Sequence, residues 1–196
     1  MKSTGMAKRA AAVLLATTAL VAGAAQATIV KQLTLGEMSK RADLIVRGQV
    51  VRKSASWNPE HTRIYTVSEI RVDESLKGGL AAGTVVPVRQ LGGELDGLVQ
   101  SVAGNATFQP DEEVIVFLDK DDTLPWSYVI GMAQGKYTVS HAGGADAVVR
   151  DLHDLALVRP GPAGILGAPI EPSAAVVLPP SLETFNADVR AALQTP

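Results

Sequence analysis

The sequence predicts a mainly β chain folded into a small barrel of five to six strands, closed or partly open. A short helix precedes the barrel and a second helix ends the chain. Three observations carry this expectation. Apolar residues recur at every second position in "DLIVRGQVV" and "TVVPVRQL", the period of a strand with one buried face. Gly48 interrupts the first of these, and a phase slip follows in "RIYTVSEIRVDESLKG"; both mark strands that coil sharply. "EVIVFL" is apolar throughout, as a strand covered on both faces must be.

The chain begins with a basic head carrying Lys2, Lys8 and Arg9, an uncharged run "AAVLLATTALVAGAA", and the small-residue exit Ala25-Gln26-Ala27. That order predicts a secretory signal peptide over residues 1–27 and a secreted or periplasmic protein of a bacterial exporter. The apolar run is shorter than the ~20 residues a spanning helix needs, and the chain holds no cysteine that a lipid anchor could use. Losing those three cations from 18 leaves 15 Lys and Arg against 20 Asp and Glu, a net charge of −5. An acidic surface poor in aromatics does not suit nucleic acid or an anionic membrane. With no cysteine, burial must hold the fold, and thiol chemistry is excluded.

The elements follow in order. "TLGEMSKRA" places Thr34 at an N-cap with Glu37 three residues later, the capping-box spacing, and Leu35, Met38 and Ala42 share one face. "DLIVRGQVV" is the first barrel strand, with Leu44, Val46, Gly48 and Val50 on one side, and "SASWNPEHT" is expected as the loop that turns the chain back. In the second strand Tyr65 and Val67 keep one phase and Ile70 and Val72 another, which predicts a β-bulge near Ser68-Glu69. "TVVPVRQL" is the third strand, placed at an edge or opening by Pro87, which has no N–H to give a ladder.

Residues 92–110 show no convincing period, and loops of that length are either functional or disordered. "EVIVFL" follows as the central strand, and "SYVIGMAQGKYTV" predicts a hairpin joined around Ala133-Gln134-Gly135. "DAVVRDL" adds a short strand. The expected organisation is a signal peptide over 1–27, a barrel domain over 28–158, a Pro/Gly/Ala-rich strap or linker over 159–180 and a C-terminal helix over 181–194. That helix is capped by Ser181, and its stripe of Leu182, Phe185, Val189 and Leu193 either docks on the barrel or binds a partner.

Motifs for catalysis are missing from the sequence. His61, His141 and His153 share no metal-ligand spacing, and there is no Gly-x-Ser-x-Gly elbow. "DKDDT" from Asp119 resembles the start of a calcium loop, but Leu124 and Ile130 stand where Gly and Glu are needed; a solvated turn is expected. The sequon at Asn105 has no meaning in an ordinary bacterial exporter. No metal and no cofactor are expected. The reading is a non-enzymatic binding module for an unknown protein or glycan partner, with a purely structural envelope role as an alternative. Its candidate binding residues are Trp57, Arg71 and Arg89, Glu94 and Asp96 in the long connection, and Trp126 with Tyr128.

"SKRADLIVRGQVV" followed by "IYTVSEIRVDESLKG" resembles the first two barrel strands of netrin-like domains, whose familiar members are the tissue inhibitors of metalloproteinases. The likeness covers Met38 to Gly78. "LGGELDG", "AGNATF" and "DEEVIVFL" are also similar to a run in a group of exported bacterial proteins. The resemblance implies an oligonucleotide/oligosaccharide-binding (OB)-like barrel. It also implies a second alternative function, inhibition of a secreted metalloprotease through the mature N-terminus. Thr28 stands 15 residues before Asp43, an interval similar to that of the family. Thr28 is thereby implied as the zinc-chelating residue and Ile29 as the specificity residue. The family inhibitors carry cysteine at that first position; this chain has threonine.

Overall fold

The computed structural model describes residues 27–144, 146–152, 154–162, 165–170 and 179–195. Nearly all of the expected signal peptide, together with His153 and residues 171–178 of the strap, lies outside the described residues. The centre of the molecule is a closed barrel of five strands. β2 (Leu44–Trp57), β3 (Ile64–Lys77) and β4 (Val85–Leu91) follow one another as an antiparallel meander. β7 (Glu113–Lys120) pairs antiparallel with the other side of β2. β8 (Ser127–Val129) closes the ring, antiparallel to β7 and parallel to β4. Counting these five in chain order, the ring runs first, second, third, fifth, fourth, which is a Greek-key barrel of the OB type.

Two cores share the wall formed by β7. Val114, Val116 and Leu118 point into the barrel with Val46, Val50, Ile70, Val72, Val88 and Phe108. Ile115 and Phe117 point outward, against Met38, Ala42, Tyr137, Phe185 and Val189. All five residues from Val114 to Leu118 are fully buried, so "EVIVFL" is covered on both faces as its composition demands. α1 (Leu35–Arg41) begins in the expected capping box: the Thr34 hydroxyl accepts from Glu37 N–H, and the Glu37 carboxylate accepts from Thr34 N–H at 2.8 Å. Its C-terminal end is closed by Lys77, whose ammonium donates to the Ser39 and Lys40 carbonyls at 3.0 Å. α2 (Leu182–Gln194) is capped by Ser181 and docks through Phe185 and Val189, with Leu182 and Leu193 at the margin of that core.

Gly48 marks a close approach of two strands. A Cβ there would lie 2.1 Å from the Arg71 carbonyl oxygen on the neighbouring strand. The expected bulge is corrected in its position. From Ile64 to Val72 β3 alternates without a break, burying Ile64, Thr66, Ser68, Ile70 and Val72. What looked like a slipped phase is two small hydroxyl residues on the inner face, with Tyr65 and Val67 outside. The Thr66 hydroxyl donates to the Gly92 carbonyl at 2.7 Å. The extra residues are Val51 in β2 and Asp73 and Leu76 in β3, which the register of the pair passes over.

Four further expectations are revised. Ser54 to Trp57 are strand, paired with Val67 to Ile64, so the turning loop is only 58–63. The connection at 92–110 contains a small hairpin, β5 (Gly93–Leu95) and β6 (Leu98–Gln100), and then sends Ala106 and Phe108 into the barrel core. Asp96 and Gly97 form its turn with φ of 53° and 74°, the left-handed pair that an Asp-Gly hairpin requires. "SYVIGMAQGKYTV" is not a hairpin: β8 and β9 (Lys136–Ser140) lie one after the other along the same edge of β7. Left-handed Gly131 and Met132 offset the chain between them, and Gln134 fills the offset. That buried side chain accepts from Leu33 N–H at 2.8 Å and donates to the Lys31 carbonyl at 3.0 Å.

The last revision concerns the strap, which is partly ordered sheet. β11 (Leu155–Pro160) pairs with β12 (Leu166–Pro169) and, in parallel, with β1 (Thr28–Lys31). β10 (Ala147–Val149) is the expected short strand, on the outer edge of β9.

Candidate functional site

Among the predicted site residues, Arg89 and Trp126 come together. Arg89 lies on the outward face of β4, in the cross-strand row Ser54, Val67, Arg89; the next row is Ser56, Tyr65, Leu91. Its guanidinium carbon sits 3.8 Å from the centroid of the Tyr65 ring and 5.7 Å from that of Trp126. Tyr65 was missed by sequence reasoning, because its phase was assigned to a bulge instead of to the outer face. Trp126 is delivered by the loop between β7 and β8, just ahead of the Val88–Ser127 pair that closes the barrel.

That loop is tightly built. The Asp121 carboxylate accepts from Thr123 N–H, the Thr123 hydroxyl and Leu124 N–H at 2.8–2.9 Å. Asp121 N–H donates to the Trp126 carbonyl at 3.0 Å. The donors from Thr123 and Leu124 hold the Asp121 carboxyl below the usual carboxylate range. "DKDDT" is therefore a solvated turn that positions an aromatic residue. Tyr128 stands on the same loop's far end, its hydroxyl 3.4 Å from Asp121 and its ring exposed.

The other predicted residues fall elsewhere. Trp57 pairs with Ile64 and so faces opposite to Tyr65; its indole N–H donates to Asp96 at 2.8 Å and its ring stacks on His61. Glu94 is exposed on β5. Arg71 is further along β3, where it donates to Gln49 at 2.8 Å and faces Asp73. Thr28 is held in β1: its N–H donates to the Asp154 carbonyl at 3.1 Å and its hydroxyl to the Ala103 carbonyl at 2.6 Å. Ile29 beside it is exposed.

Other candidates for chemistry are internally engaged. Both ring nitrogens of His141 face carboxylates, Asp146 at 2.7 Å and Glu113 at 3.0 Å. The buried Lys136 ammonium is paired with Glu112 and donates to the Thr138 hydroxyl. A cleft at the barrel mouth is lined by Lys53, Thr66, Gln90, Gln100, Asn105 and Phe108. Several of its polar groups serve the fold: Gln100 accepts from Ile64 N–H, Asn105 donates to the Leu91 carbonyl, and Lys53 to that of Phe108. Among the described residues no group of three or more His, Asp or Glu side chains is arranged to hold a metal ion. No described helix is long and apolar enough to cross a membrane.

Fold and surface together define a closed OB-type barrel with an arginine and two aromatic rings on its outer wall. The wall formed by the second and third strands, flanked by the first-to-second and fourth-to-fifth loops, is where barrels of this class take ligands. The sequence matches no known family model and no curated protein.

Proposed function

We propose that the protein is an exported, non-enzymatic binding module whose ligand face is the outer wall of β3 and β4, and that its partner is an envelope or extracellular protein or glycan. The observation that carries this reading is the Tyr65–Arg89–Trp126 cluster, an aromatic-supported cation at the place OB-type barrels use for ligands. Two features support it further: the loop bearing Trp126 is held by three hydrogen bonds to Asp121, and His141 and Lys136 are already engaged by acidic neighbours. The inhibitor alternative fits the geometry less well. It needs the Thr28 amine and carbonyl presented to a zinc ion, whereas the Thr28 nitrogen is turned into the sheet toward Asp154.

The test is capture from envelope and culture-fluid extracts of the producing cells, using immobilised chain beginning at Thr28 and an Arg89→Ala/Trp126→Ala variant. Protein or glycan retained by the first and lost by the second, with equal thermal melts, is the expected result. Equal retention by both, or none by either, overturns the ligand-face reading and leaves a structural envelope role.

A further inference from the structure

We infer that the ligand of this wall is an oligosaccharide bearing a uronate, and that Arg89 is the residue that grips its carboxylate; the inference rests on the ligand-face reading above. Arg89 differs from its neighbours on the same wall. Arg52 is paired with Glu69 at 2.6 Å, and Arg71 is occupied by Gln49 and Asp73. Arg89 has no carboxylate partner and no side-chain hydrogen bond among the described residues. Its guanidinium carbon rests 3.8 Å from the centroid of the Tyr65 ring, a cation–π contact that restrains the group before a ligand arrives. A guanidinium fixed in this way matches the two oxygens of a carboxylate.

The surroundings select the rest of the ligand. Ser54 and Val67 share the row of Arg89; on one side lies the row Ser56, Tyr65 and Leu91, and on the other Arg52, Glu69 and Pro87, where Arg52 and Glu69 are paired with each other. That is a mixed wall of exposed serines, single aliphatic side chains, the Tyr65 ring and one internal ion pair, without the continuous apolar centre on which a protein interface depends. Sugars offer hydroxyls for such serines and C–H faces for such rings. A densely charged polyanion is disfavoured: the chain after Ala27 carries a net charge of −5, and Arg89, with Arg52 and Arg71 already engaged, does not make a basic groove. A sparsely acidic glycan satisfies all three conditions.

The test compares three tetrasaccharides by calorimetry with the chain from Thr28: one ending in glucuronate, its methyl ester, and the all-glucose form. A peptide of the same length with a single glutamate is the fourth probe. The expected result is binding of the glucuronate sugar, weakened about tenfold or more by esterification. Arg89→Ala should lose the same factor and abolish the difference between acid and ester. Arg89→Lys should restore only part, since it keeps charge without the fork. Equal binding of acid and ester, an Arg89→Ala variant that binds the acid normally, or no binding of the glucuronate sugar overturns the inference. If the glutamate peptide alone binds and needs Arg89, the glycan assignment falls while the ligand face stands. If extract capture also survives the Arg89→Ala/Trp126→Ala change, both fall.

Discussion

At Gly48 the barrel brings β2 and β3 so close that no side chain fits between them. Any Cβ would meet the Arg71 carbonyl oxygen at 2.1 Å, and a backbone oxygen cannot rotate away as a side chain could. Gly48→Ala is therefore expected to destabilise by about 1–3 kcal/mol, and Gly48→Val by more. Urea denaturation midpoints measure this, and an unchanged midpoint for Gly48→Ala would refute the close approach. The residue scale also shows where sequence reading failed. Thr66 and Ser68 are buried hydroxyls on an inner face, so alternation judged by hydrophobicity broke although the backbone alternation did not. Tyr65 was lost from the candidate site for that reason.

At the scale of elements, the start of α2 is tied to β10, with Leu182 N–H donating to the Asp146 carbonyl and Val148 N–H to that of Pro180. The Asp146 side chain continues the tie to His141, which reaches Glu113 on β7; Glu113 holds Arg47 at 3.2 Å, Arg47 faces Glu74, and Glu74 holds Arg190 of α2. The hydrogen bonds from the ring to Asp146 and Glu113 raise the His141 pKa above its ordinary 6.5. A raised folded value means that the latch contributes fully below 6.5 and loses its contribution as pH rises through the folded value. His141→Gln should thus lower the melting temperature on the acid side and have a shrinking effect as pH rises. Thermal melts of both proteins across that range test it; a pH-independent difference would sink the proton-linked latch.

For the whole molecule the informative feature is unequal closure. β7 is bordered by β2 along one edge and by β8 and β9 along the other, and both its faces are covered. The seam between β4 and β8 rests on the single pair Val88–Ser127. Local opening begins where few buried contacts must break, so amide protons of Ser127 to Val129 should exchange with deuterium well before those of Val114 to Leu118. Simultaneous exchange of both segments would show that the barrel opens only as a unit. The seam lies beside Trp126 and Arg89, so the same measurement with bound ligand reports whether the wall stiffens.

What the sequence determined by itself were the features written in local chemistry. The Thr34–Glu37 cap, the doubly covered "EVIVFL" and the amphipathic stripe of α2 each follow from residues within a few positions of one another. The Asp96-Gly97 turn is equally local, but the sequence reading passed over it and took 92–110 for an irregular connection. Only the tertiary structure decided that β8 and β9 share one edge of β7, that Phe108 enters the barrel, and that Leu155 to Val158 pair with β1. The candidate site is of the second kind. Tyr65, Arg89 and Trp126 come from three strands or their loops, and strand pairing at long separation leaves no periodic trace in any one of them. Their meeting depends on barrel closure, which is a property of register and curvature, not of composition.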